Sequence, residues 1–196
     1  YEAGPPAVVG HSFGGRIAVG LAHDFGDELA AAAMVDPPFF APQNQRSPSP
    51  PRATTRGHSV RPSLEAIIAR FRLAPPQACD NLYILDFIAR RSARKAVDAE
   101  GKHGWALSFD PRFWERFGRL DPIALVKAAR APLALIRGGK SQLFHPEDAA
   151  YLLSLIARGS PYVEIPEAEH HVMIDQPLAF VAALRALLAA WPPAKA

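Results

Sequence analysis

Short apolar runs alternate with stretches of helical apolar spacing at both ends of the chain, and the middle lacks that alternation. Ala7-Val8-Val9-Gly10 is apolar throughout, the pattern of a short strand buried on both faces. Gly14 to Ala22 follows, small and apolar except for Arg16, and predicts a helix broken by Asp24, Gly26 and Asp27. Ala31 to Val35 predicts a second strand. It stops at Asp36-Pro37-Pro38, because consecutive prolines neither continue a helix nor supply ladder donors. The alternation resumes after residue 130. Pro132 to Arg137 reads as a strand, and Pro146 to Ile156 as a helix with proline in its first turn. Tyr162 to Ile165 reads as another strand, and Leu178 to Trp191 as an Ala/Leu-rich helix. Strands alternating with helices predict an α/β fold, a parallel sheet with flanking helices joined by βαβ crossovers.

Residues 41–62 are rich in Pro, Ser, Arg and Gln, lack periodicity and predict a long loop. Beyond them Leu64, Ile67, Ile68 and Phe71 recur at helical spacing behind Ser63, a candidate N-cap. Residues 81–91 and 111–117 are further helix candidates. No strand signal is evident between 41 and 130, so this block predicts a helical insertion. The expected organisation is 1–40, an inserted helical segment 41–130, and 131–196. Charge follows the same division. The middle block holds 16 of the 22 Lys and Arg and 8 of the 19 Asp and Glu, a local net of +8, against −5 for the rest. Two readings stay open, a solvated basic face or attraction of anionic substrates. The basic residues follow no nucleic-acid-binding pattern of aromatic interleaving, so no nucleic-acid partner is expected.

Composition narrows the class further. With 49% hydrophobic residues and a net charge of +3, the chain is no disordered polyelectrolyte. Its single cysteine, Cys79, excludes a disulfide scaffold. No run of 18 apolar residues predicts a membrane span, and no secretory signal opens the chain. One cysteine and no visible signal lead to the expectation of a reducing cytoplasm. A G-x-G-x-x-G spacing is absent. Gly139-Lys140-Ser141 is similar to the end of a Walker loop, but the position that needs the first glycine is Ala134. His-Glu-x-x-His is absent too, and adjacent histidines rarely chelate one ion. Neither a cofactor nor a metal is therefore expected. Oligomeric state has no signal.

Gly10-His11-Ser12-Phe13-Gly14-Gly15 carries the chemistry. It fits G-x-S-x-G between an apolar strand and a helix, the context in which a sharp turn lifts a serine above the sheet. Such a turn needs strained dihedrals at Ser12 and little bulk two residues before and after, hence Gly10 and Gly14. Ser12 then lies at a helix N-terminus, where developing negative charge is favoured. The Phe13 backbone N–H is the candidate oxyanion donor. A serine hydroxyl needs a base, expected to be a histidine on a loop after a late strand and oriented by a carboxylate. Of seven histidines, His170 and His171 stand in that place. His11 lies inside the turn and is expected to point away from the nucleophile. Two positions could supply the acid. Asp36 closes the second strand on the same sheet edge as Ser12. The loop after the strand at 132–137 carries Ser141 instead, and serine cannot hold an imidazolium by charge. Asp36 is therefore the candidate acid.

The stretches GHSFGG, VDPP at 35–38, RGGKS at 137–141 and PEAEHHVMIDQP at 166–177 resemble the α/β-hydrolase superfamily over residues 5–40 and 130–192. The resemblance implies that His170, not His171, is the base. It also implies a variable helical cap between the two regions. Members with a GGxS loop place the acid after the sixth strand, which matches Asp36. Glu167 and Glu169 depart from the pattern, which has small residues there. The implied function is a serine hydrolase acting on carboxylic esters through an acyl-enzyme, with a small-molecule ester as partner. Lactonase, thioesterase, C–C hydrolase and perhydrolase activities share the serine turn, and a weakly active or non-catalytic hydrolase-like module is the alternative. Members of the fold have several strands before this turn, so the resemblance also implies a piece of a longer protein, with the second oxyanion donor elsewhere.

Overall fold

The computed structural model describes residues 4–44, 59–110 and 121–191. They fall into two compact units, residues 1–45 with 121–196, and residues 46–120.

The first unit is built on four parallel strands, β1 (Ala7–His11), β2 (Ala31–Val35), β5 (Leu133–Gly138) and β6 (Tyr162–Ile165), in the spatial order β1-β2-β5-β6. Helices α1 (Phe13–Asp24), α4 (Pro122–Lys127), α5 (Pro146–Leu155), α6 (Val172–Asp175) and α7 (Pro177–Ala190) accompany them. The apolar runs of β2 and β5 are buried at every position. Their alternation divides two cores. Ala32, Met34, Leu133 and Leu135 pack with Ala18, Val19 and Ala22 of α1 and with Ala149 and Leu152 of α5. Ala33, Val35, Ala134 and Ile136 pack with Val172 and Leu187 of α6 and α7. A strand with helices on both faces has no solvent side, so its sequence is a continuous apolar run rather than an alternating one. β1 and β6 stand at the sheet's margins among the described residues.

Two elements of this unit exceed the sequence reading. α4 has only six residues, started by Asp121, whose carboxylate accepts from Ile123 and Ala124 N–H at 3.0 and 3.2 Å. α6 is a single four-residue turn.

The second unit departs from the expected all-helical insertion. α2 (Leu64–Ile68) starts at Ser63, whose Oγ accepts from Ala66 N–H at 3.2 Å, and α3 (Leu82–Arg91) follows. After them, β3 (Ala93–Val97) and β4 (His103–Leu107) form an antiparallel hairpin. Its turn is set by Asp98, whose side chain accepts from Glu100 and Lys102 N–H, with Gly101 at φ 82°. Strands thus exist where none was expected, because a hairpin with an exposed face carries Arg94 and Lys95 and lacks an apolar run. The helix expected at 111–117 and most of the loop expected at 41–62 lie outside the described residues.

Candidate active site

β1, β2 and β5 end together at their carboxyl edge, where a parallel α/β sheet opens a crevice. Ser12 follows β1 with φ 53° and ψ −121°, and Asp36 follows β2 with φ 44°. They are the described non-glycine residues with positive φ. Strain of this kind concentrates where function requires it. Ser12 N–H donates to Val35 O at 2.8 Å and Asp36 N–H to Ile136 O at 2.8 Å, so the two turns are pinned side by side on one edge.

The glycines explain how so sharp a turn fits. A Cβ on Gly10 would stand 1.9 Å from Gly14 O, and one on Gly15 would stand 3.0 Å from Pro37 Cβ. Gly14 differs from expectation, since a Cβ there meets nothing within 4 Å. The crowding at this turn falls on Gly10 and Gly15.

Asp36 is fully buried and its carboxylate accepts three hydrogen bonds. Gly138 N–H donates to Oδ1 at 2.9 Å, Ser141 Oγ–H to Oδ2 at 2.6 Å, and His170 Nδ1 lies 2.8 Å from Oδ2. With a carboxylate as acceptor, Nδ1 carries a proton, and in the neutral ring Nε2 then has the lone pair. His170 is 2% exposed, and its Nε2 is buried without a hydrogen-bond partner among the described residues. Ser141 Oγ also lies 3.3 and 3.2 Å from the N–H groups of Leu143 and Phe144, which occupy its lone pairs and turn its proton toward Asp36. By sequence, Ser141 stands only where another carboxylate could have been. Its support of Asp36 was not legible, because 105 positions separate the two.

The His170 loop is fastened from below. Glu169 N–H donates to Asp175 Oδ2 at 2.7 Å, and Lys140 N–H to Ala168 O at 2.8 Å. Gly138 lies so close to this loop that a Cβ would stand 2.2 Å from Glu169 O. Glu167 is not at the site centre. It pairs with Lys140 Nζ at 2.6 Å on the exposed rim.

His11 lies against His170 and His171, a contact that the sequence does not reveal. Its Nε2 lies 2.9 Å from His170 O, and its ring centroid is 4.7 Å from that of His170 and 5.3 Å from that of His171. Burial pushes its pKa down to about 4, against a smaller rise from the His170 carbonyl, so the ring is neutral at pH 7. Phe13 is the first residue of α1, at the positive end of the helix dipole.

The arrangement offers a strained serine at a helix N-terminus and a buried imidazole with an available lone pair, oriented by a buried carboxylate. Nucleophilic attack with general-base assistance is the chemistry such a set can perform.

Comparison with known proteins agrees with the fold. A family model described as the alpha/beta hydrolase family matches residues 1–184. Among solved structures, the chain is similar to a thioesterase domain from the curacin biosynthetic pathway (TM-score 0.63, 22% identity, covering 94% of this chain and 66% of that one). It is also similar to E-2-(acetamidomethylene)succinate hydrolase (TM-score 0.70, 20% identity, 95% and 68%). An esterase from Mycobacterium tuberculosis is a further match (TM-score 0.67, 25% identity, 94% and 60%). The chain thus spans about two thirds or less of the length of these proteins.

Proposed function

The chain belongs to the alpha/beta hydrolase family, and from that premise we propose that it is a serine hydrolase acting on carboxylic esters of small molecules. The observation that carries the reading is the buried pair of Asp36 Oδ2 and His170 Nδ1 at 2.8 Å, beside a serine held at positive φ. The names of the thioesterase and esterase neighbours favour an acyl substrate.

In the proposed cycle His170 Nε2 takes the proton of Ser12 Oγ as the oxygen adds to the ester carbonyl. The Phe13 N–H stabilises the oxyanion. Asp36 stabilises the imidazolium, which then protonates the leaving alcohol and leaves an acyl-Ser12 ester. Water, deprotonated by His170, releases the acid and restores Ser12. His170 Nε2 makes no hydrogen bond to Ser12 in this structure. Catalytic hydrogen bonds often tighten only once substrate is bound. The single cysteine supports a reducing, cytoplasmic setting for this chemistry.

Turnover of p-nitrophenyl acetate tests the reading. Ser12→Ala is expected to lower kcat/KM by about 10³-fold or more. A variant with unaltered turnover removes Ser12 from the mechanism.

A further inference from the structure

Spacing along the chain gives no metal motif, and His170 and His171 alone make none. The fold adds a third imidazole from another element. His11 at the end of β1 meets the two loop histidines, and the nitrogen donors of all three lie within 4.8 Å of one another. The His170 and His171 rings are 4.8 Å apart between centroids.

We propose that His11, His170 and His171 form a site for a divalent transition ion of the zinc and copper class, and that the bound ion silences the active site. Imidazole is the ligand these ions favour. His170 offers Nε2, which is buried without a hydrogen-bond partner among the described residues. Its Nδ1 is held by Asp36, and a carboxylate behind a ligating histidine fixes the ring and raises its donor strength. The His11 Nε2 already faces the His170 carbonyl, so Nδ1 is its donor. A tetrahedral ion with Zn–N bonds of about 2.0–2.1 Å needs donors roughly 3.4 Å apart, so small rotations of the three rings complete the site. His11 is only half-buried, which leaves a route for the ion. Three protein ligands leave a fourth position for water.

The silencing part rests on the serine-hydrolase reading above. The lone pair on His170 Nε2 can bind the ion or accept the Ser12 proton, but not both. Ion binding and nucleophile activation therefore exclude each other.

Calorimetric titration of the untagged protein with ZnCl₂ tests the site itself. One ion per chain is expected, with affinity reduced about 10-fold or more in His11→Asn and in His171→Asn, each checked for folding by circular dichroism. Co²⁺ added to the unaltered chain should give the intense visible bands of a tetrahedral ion, a readout that needs no variant. Absence of binding, or binding unchanged in both folded variants, overturns the site. Labelling of Ser12 by a fluorophosphonate should slow on adding Zn²⁺ and recover with EDTA, and His11→Asn should need about 10-fold or more zinc for the same effect. Zinc bound at these histidines with labelling unslowed overturns the silencing alone. Absence of labelling without zinc, with the ion still bound, refutes the hydrolase reading and leaves the metal site standing.

Discussion

Two carboxylates in the first unit share burial and number of partners but differ in where those partners lead. Asp36 and Asp148 are both fully buried, and each accepts three hydrogen bonds. Those of Asp148 come from Ala41 N–H at 2.7 Å, Asn44 Nδ2 at 3.0 Å and His145 N–H at 3.2 Å. Every partner belongs to the chain segments it ties together, the start of α5 and the stretch after Asp36-Pro37-Pro38. Asp36 receives two partners of the same kind, Gly138 N–H and the Ser141 hydroxyl. Its third is an imidazole whose far nitrogen has no partner. Burial and satisfied hydrogen bonds alone do not mark a reacting group. What distinguishes Asp36 is that its last hydrogen bond leads to a second titratable group with a lone pair to give. The backbone agrees, since Asp36 sits at φ 44° while Asp148 lies within α5.

The largest expected effect separates the two. Asp36→Asn should lower kcat/KM by about 10³-fold or more, because the amide can no longer hold the reactive tautomer or stabilise the imidazolium. Steady-state kinetics on the folded variant check this, and a loss below 10-fold would move the acid elsewhere. Asp148→Ala should act on stability instead, by about 3 kcal/mol, through the buried N–H groups left unpaired. Urea denaturation should show that loss while kcat of the folded fraction stays at its original value. An equal loss of kcat would erase the distinction.

A finer test lies in Ser141→Ala. It removes one hydrogen bond to Asp36 and leaves the carboxylate, so kcat should fall about 10-fold. A fall as large as that of Asp36→Asn would mean that Ser141 does more than support the acid. The smallest effect concerns His11, which faces His170, His171 and Asp36. Its pKa of about 4 lies below the ordinary 6.5. As pH drops through that window the unfolded chain gains a proton that the folded chain refuses, so stability is lost toward acid. With EDTA present, the urea midpoint should decline less steeply between pH 6.5 and 4 in His11→Asn than in the original chain. Parallel slopes would contradict the buried neutral ring.

The elements legible in the sequence share a physical reason. β2 and β5 are buried on both faces, so burial is written as uninterrupted apolar runs. The strained turn at Ser12 was legible because a sharp passage from strand to helix calls for small residues close on either side of it. The hairpin of β3 and β4 was not, since one exposed face lets Arg94 and Lys95 stand in a strand. Local pattern also misjudged Gly14, which has open space, while Gly15 abuts Pro37, a neighbour 22 residues away. The same limit hid the Ser141 hydroxyl behind Asp36 and the His11 ring beside His170. Those contacts are made by the sheet's parallel register, which joins β1, β2 and β5 across the inserted segment.

Whether the Asp36–His170 pair serves Ser12 is decided by mass-spectrometric mapping of a fluorophosphonate adduct, timed in the original chain and in Asp36→Asn. A single adduct is expected on the peptide bearing Ser12, formed at least about 10³-fold more slowly in the variant. An adduct on another residue, or equal rates in the two proteins, would contradict that role.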